Sequence, residues 1–311
     1  MSDYDETAAA LQEAYLNRCV PGFRVRQIAW SGGKTAILEG GNGPPLLLVH
    51  GGGGAAFDWA PILTLLANRY RVLAVDRPGH GLADPFDYRG VDLFAHAQAF
   101  LAELVEAEGL SKLQVVGNSM GGLFSLAFAL RNPDRITHLW LVGVPAGLKR
   151  RIPLPARLPA IPLIGTLVHR MIKNPTRETT RRFWGRALIR YPERLKDDFL
   201  DVQVAMMRRN ASSIISLLDR FIDLGGVAAD LVLGSRWEVI RVPTTFVIGE
   251  YDRGASMGEI EAVLAMNPCF NLHKLADVGH VPWVDDPESV AQALEAGFSA
   301  VRAARPGLRE K

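Results

Sequence analysis

Apolar residues recur along this chain in two rhythms, and the points where one gives way to the other mark its elements. Short runs that alternate or are continuously apolar, the signature of strands, fall over 25–30, 35–38, 46–49, 71–75, 113–116, 136–144, 244–248 and 271–275. Runs at helical spacing lie between them, over 59–67, 93–107, 257–264 and 287–301, and from Leu123 to a stop at Asn132-Pro133. Ser31-Gly32-Gly33 is a turn signal that pairs the first two strands as an antiparallel leader. Strand and helix then alternate, which predicts an α/β fold: a mostly parallel eight-stranded sheet flanked by helices on both faces. Ligands of such sheets gather at the carboxyl ends of the strands. Ahead of this body, residues 4–18 place Ala8, Leu11, Ala14, Tyr15 and Cys19 on one side of a short helix. No chemistry attaches to this extension over 1–20.

Residues 146–241 break the alternation. Their pattern is helical with long polar and basic faces, so a helical insertion is expected between two blocks of core, 21–145 and 242–311. Its opening has an unusual charge pattern: from Arg135 to Arg177 there is no aspartate or glutamate, while Lys149, Arg150, Arg151, Arg157, Arg170 and Lys173 stand among prolines and aliphatics. Two readings fit such a stretch. Its aliphatics pack a solvated loop onto the core, or it is a lid that favours an anionic substrate or rests on an anionic membrane surface.

Composition narrows the partners more than the fold. A chain of 311 residues with 48% hydrophobic content can bury a large core. The formal net charge of +2, with no lysine-rich run, argues against nucleic acid as a partner. Cys19 and Cys269 are far apart, which points to neither a disulfide framework nor a thiolate metal site. The start, Met1 to Thr7, is acidic and polar rather than basic then apolar, and no run of 18 apolar residues exists for a transmembrane segment. The expected location is the cytoplasm, the expected metal and cofactor content none, and a homodimer is compatible with the pattern.

The chemistry centres on Gly117-Asn118-Ser119-Met120-Gly121, which carries an apolar strand through a small-residue corner into a helix. A serine exposed in a sharp strand-to-helix turn needs small neighbours two residues to either side, here Gly117 and Gly121. Ser119 is therefore the candidate nucleophile. A hydroxyl is a weak nucleophile near neutral pH and requires a base, itself held in one tautomer by a carboxylate. His280 suits the first role, in a loop between the last strand and the final helix. Asp252 is the choice for the second and Glu250 its competitor, both just beyond a core strand, with Asp230 and Asp277 less well placed. His50-Gly51-Gly52-Gly53-Gly54 ends another core strand, and its bare backbone suits an oxyanion hole, with Gly52 N–H as one donor and Met120 N–H as the other. A phosphate cradle is disfavoured, because no Lys-Ser or Lys-Thr follows and no Gly-x-Gly-x-x-Gly opens a helix. His50 is expected to be structural.

These motifs, with Asp76-Arg77-Pro78-Gly79-His80-Gly81, Gly249 with Asp252, and Gly279-His280, resemble those of the α/β-hydrolase superfamily with a helical cap, over all but the first 20 residues. The resemblance implies a Ser119, Asp252 and His280 triad, with donors near Gly52 and Met120. It also implies a structural turn at Asp76 to Gly81 and a cap that shapes the pocket. Serine rather than aspartate at 119 sets aside the dehalogenase and epoxide hydrolase branches. The glycine run and Asn118-Ser119-Met120-Gly121-Gly122 are similar to the meta-cleavage-product hydrolases, which cut a carbon–carbon bond in vinylogous diketo acids. That similarity makes Arg182 or Arg186 the counterpart of a substrate-binding cap arginine, and adds Gly53, Asn118 and Val281 as candidate substrate contacts. Val281 stands where that subfamily usually has tryptophan. The expected activity is hydrolysis of a small carboxylic ester, lactone or thioester by a serine mechanism. The alternatives are the carbon–carbon hydrolase and a non-catalytic ligand-binding relative.

Overall fold

The computed structural model describes residues 3–304. The extreme ends of the expected extension and core, 1–2 and 305–311, lie outside the described residues. Ten strands follow in chain order: β1 Arg24–Trp30, β2 Gly33–Gly40, β3 Pro45–Val49, β4 Arg71–Val75, β5 Leu113–Asn118, β6 Ile136–Val142, β7 Ile222–Asp223, β8 Gly226–Val227, β9 Thr244–Gly249 and β10 Phe270–Leu275. The helices are α1 Asp3–Cys19, α2 Ala60–Ala67, α3 Leu93–Ala107, α4 Met120–Arg131, α5 Pro162–Lys173, α6 Arg177–Ala187, α7 Asp197–Phe221, α8 Met257–Ala265, α9 Pro282–Asp285 and α10 Pro287–Ala304.

Eight strands make one sheet in the order β1-β2-β4-β3-β5-β6-β9-β10. β2 runs antiparallel to both its neighbours, and every other neighbouring pair is parallel. Parallel strands covered on both faces read as unbroken apolar runs, and β5 and β9 are buried at every position. One face packs against α3, α4 and α8 through residues such as Phe100, Phe124, Phe128 and Ile260. The other packs against α1, α2 and α10 around Trp59, Trp140 and Trp283. Trp59 and Trp283 stack with ring centroids 3.9 Å apart, which joins the loop after β3 to the loop after β10.

Between β6 and β9 the chain leaves the sheet for α5, α6, α7 and the small β7/β8 hairpin. The 25-residue α7 is the spine of this excursion. Its polar residues fasten to the loop after β4: Ser213 and Ser216 Oγ accept from Phe86 and Tyr88 N–H, each at 3.0 Å, and Asn210 Nδ2 donates to Gly81 O at 3.0 Å. α6 is held by Arg181, whose Nη2 donates to Asp197 at 2.8 Å.

α1 packs on α7 and reaches the core through Tyr15, which meets Phe57 and Phe199 edge-on. Its buried stripe is Ala8, Gln12, Tyr15 and Leu16, spaced i, i+4, i+7, i+8. Ala14, expected on that face, is exposed, because counting apolar letters passed over Gln12, which the helix turns inward instead. Neither the hairpin nor α9 was expected, since each is too short to carry a periodicity.

Candidate active site

The three expected groups all follow the carboxyl ends of sheet strands, with β6 between the serine strand and the two adjacent strands that carry the aspartate and histidine. Ser119 follows β5, Asp252 lies three residues past the end of β9, and His280 lies five past the end of β10. Ser119 has φ 51° and ψ −112°, the strained turn expected of it. The flanking glycines are there for space: a methyl on Gly117 would sit 2.6 Å from Gly121 O and from Ser125 Oγ, and one on Gly121 would overlap the carbonyl oxygen of Val49.

His280 Nδ1 lies 2.8 Å from Asp252 Oδ2. The carboxylate is fixed by two further donors, Val144 N–H to Oδ2 and Gly254 N–H to Oδ1, each at 2.8 Å. Burial opposes charge on both partners. For Asp252 it pushes the pKa up, but the His280 charge and hydrogen bond, with the two N–H groups, bring it below the ordinary carboxylate value. For His280 burial pushes the pKa down, but the charge and hydrogen bond of Asp252 outweigh it and set it above the ordinary imidazole value. The other carboxylates are occupied elsewhere. Glu250 accepts from Asp277 N–H at 3.0 Å, Asp230 pairs with Arg220, and Asp277 with the Tyr191 hydroxyl.

The glycine loop lies beside the serine. A Cβ on Gly51 would come 3.4 Å from Ser119 Cβ, and one on Gly52 3.9 Å from Met120 Cβ. Among the described residues neither Gly52 N–H nor Met120 N–H has an acceptor. Met120 opens α4, so its N–H is one of the unfilled donors of a helix start. Two buried groups that sequence reasoning left out of the site hold this loop. Arg77 donates from Nε to His50 O at 3.1 Å and from Nη2 to Gly51 O at 2.8 Å. Asp58 accepts from Ala55 N–H at 3.1 Å and from Gln203 of α7. The motif containing Arg77 was legible as a turn, but its reach back to the glycine loop was not. His50 is structural as expected: its Nε2 accepts from Arg77 N–H at 3.0 Å, and burial, Arg77 and His80 hold its pKa well below the usual range.

The substrate-contact candidates divide. Gly53 has φ 69° and open space where a Cβ would be. Asn118 is a strut: its Nδ2 donates to Val142 O at 2.7 Å and to His280 O at 3.1 Å, tying the serine strand to the histidine loop. Val281 is buried, and its N–H donates to Leu188 O at 2.8 Å. Arg182 and Arg186 stand on the outer side of α6. α6 buries Thr180 and Trp184, which turns both arginines to the opposite, exposed side, and Arg182 pairs there with Glu178 at 2.6 Å. A further aspartate emerges instead: Asp285, 1% exposed, accepts from Gly279 N–H at 2.9 Å and from the N–H groups of Arg190 and Tyr191, so it braces the histidine loop against the insertion.

A parallel sheet with a strained serine and a His–Asp pair at adjoining strand ends defines a class of hydrolytic enzymes. A model described as the Alpha/beta hydrolase family matches residues 46–293, and the chain belongs to that family and is a hydrolase. It is 30% identical over 247 residues to 2-hydroxy-6-oxononadienedioate/2-hydroxy-6-oxononatrienedioate hydrolase 2 of Pseudomonas putida, covering 76% of this chain and 80% of the relative. It is 28% identical over 304 residues to Lipase 1 of Psychrobacter immobilis, covering 88% and 84%. Among solved structures it is similar in fold to naproxen esterase, a carboxylesterase of Bacillus subtilis, with TM-score 0.73, 17% identity and coverage of 96% and 99%.

Proposed function

We propose that this protein is a cofactor-independent serine hydrolase that cleaves a carboxylic ester through an acyl-enzyme. The observation that carries the reading is the 2.8 Å contact from His280 Nδ1 to Asp252 Oδ2, in a loop that Asn118, the neighbour of a serine held at φ 51°, bonds at His280 O. With Nδ1–H donated to the carboxylate, Nε2 is free to act as base. It takes the Ser119 proton as Oγ attacks the ester carbonyl, while the N–H groups of Gly52 and Met120 receive the developing oxyanion. His280 then returns the proton to the leaving alcohol. Water, activated by the same imidazole, releases the acid and restores Ser119. The insertion serves as the cap over this chemistry, and Gly53, with open space where a Cβ would be, is a substrate-facing candidate. Lipase 1 of Psychrobacter immobilis supports the ester reading by its name.

The relative from Pseudomonas putida favours a second reading, hydrolysis of a carbon–carbon bond in a dienedioate. Arg186, which lines a cavity together with Tyr251 and Arg253 on either side of Asp252, is the cap arginine that would hold such a substrate. A paired assay separates the two. Purified wild type and Ser119→Ala are given a short aryl ester and a vinylogous diketo acid. Ester turnover that falls about 10⁶-fold in Ser119→Ala supports the esterase. Strong preference for the diketo acid replaces it with the carbon–carbon hydrolase, and ester turnover undiminished in Ser119→Ala sinks both.

A further inference from the structure

The insertion carries an apolar face that no other described residue covers. α5 turns Gly165, Val168, His169 and Ile172 inward, with His169 Nε2 2.9 Å from Asp219 of α7. One such stripe is enough to hold a helix on its protein. The same helix has a second one. Leu163, Leu167 and Met171, spaced i, i+4, i+8, are 88%, 60% and 60% exposed, and Leu154 in the preceding turn is 74% exposed. Large aliphatics gathered this way on an open surface mark a place where something binds.

Charge identifies the occupant. No aspartate or glutamate occurs between Arg135 and Arg177. Lys149 and Arg150 are paired, at 2.7 Å to Glu259 and 3.1 Å to Asp223. Arg151, Arg170 and Lys173 are exposed and, among the described residues, have no carboxylate within ion-pair distance. Arg170 stands beside Met171 and one turn from Leu167, so free cations border the apolar stripe. A second copy docking on this face would bring those cations against one another. A sheet of anionic headgroups over acyl chains satisfies both features at once. We propose that α5 and the turn before it form an interfacial helix that seats the enzyme on an anionic lipid surface.

This inference goes beyond the ester reading and does not depend on it, since docking requires no turnover. The test is sedimentation of the full chain with vesicles of phosphatidylcholine, alone or with about one-third phosphatidylglycerol. Wild type and the inactive Ser119→Ala are expected to bind the mixed vesicles alike. They are expected to bind neutral vesicles about tenfold more weakly, and to release from the mixed ones as salt is raised. Leu163→Ser/Leu167→Ser/Met171→Ser, and separately Arg170→Glu/Lys173→Glu, should each weaken binding to mixed vesicles about tenfold. All five side chains are exposed, so thermal melting should stay as in wild type. Wild type that fails to bind mixed vesicles, or variants that bind like wild type, would overturn the proposal. So would a wild-type dimer that the triple variant makes monomeric while vesicles capture neither.

Discussion

At φ 51° Ser119 occupies backbone space that costs a residue with a side chain about 1–3 kcal/mol, and its surroundings hold it there. Gly121 lies against the carbonyl of Val49, so a methyl at that position would force β3 and the turn apart. Gly121→Ala should therefore abolish ester turnover and lower the melting temperature, whereas Gly52→Ala, with 3.9 Å to its nearest neighbour, should leave melting unchanged. Comparing the two by calorimetry and assay checks whether crowding or mere glycine content shapes the site. His280 supplies the pH signature. Its pKa lies above the ordinary 6.5, and the base must be neutral to accept a proton, so kcat/KM should rise with pH about a midpoint above 6.5. Asp252→Asn should move that midpoint down and lower kcat on the order of 10⁴-fold. In stability the signs are opposite for the two partners. The His280 contribution is complete below 6.5 and lost as pH rises through its raised value, while that of Asp252 is present above 3.8 and lost as pH falls through its lowered value.

Elements were legible where burial makes a pattern. Every strand of the large sheet and all but the shortest helices outside the insertion follow from apolar rhythm, because a strand covered on both faces has no polar letters to spare. The serine, the histidine and the glycine loop were legible for a different reason: each sits next to a strand end, and strand ends converge in a parallel sheet. What the sequence could not give is how distant surfaces dock. Thr180 and Trp184 decide which way Arg182 and Arg186 point, and nothing in a row of arginines records that. The tie between Asp58 and Gln203 is equally silent, since it joins residues 145 positions apart. It is also the joint between the insertion and the glycine loop. Gln203→Ala leaves a buried carboxyl oxygen without its donor, which should cost about 1–3 kcal/mol in urea unfolding. An unchanged midpoint would mean that the insertion is held without this joint.

Across the whole molecule the buried histidines make acid the weak direction. Burial lowers His96 and His138 to about 4, and burial with neighbouring charge takes His50 and His80 well below the usual range. The unfolded chain binds protons from about 6.5 downward that the folded one refuses, so stability is lost as pH falls from 6.5 towards 4. Asp76, raised to about 6 by burial, acts the other way, as do Asp58 and the raised His280, but these are three groups against four. The melting temperature should fall between pH 7 and 5, and less so in His138→Gln, where calorimetry reads the difference. The proposed mechanism depends on one oxygen atom, Ser119 Oγ, being the nucleophile. Its most direct test is reaction with a fluorophosphonate followed by peptide mass mapping. A single adduct on Ser119, absent from Ser119→Ala and formed far more slowly in His280→Ala, is the expected result; an adduct on another residue, or none on an enzyme that turns over ester, would contradict it.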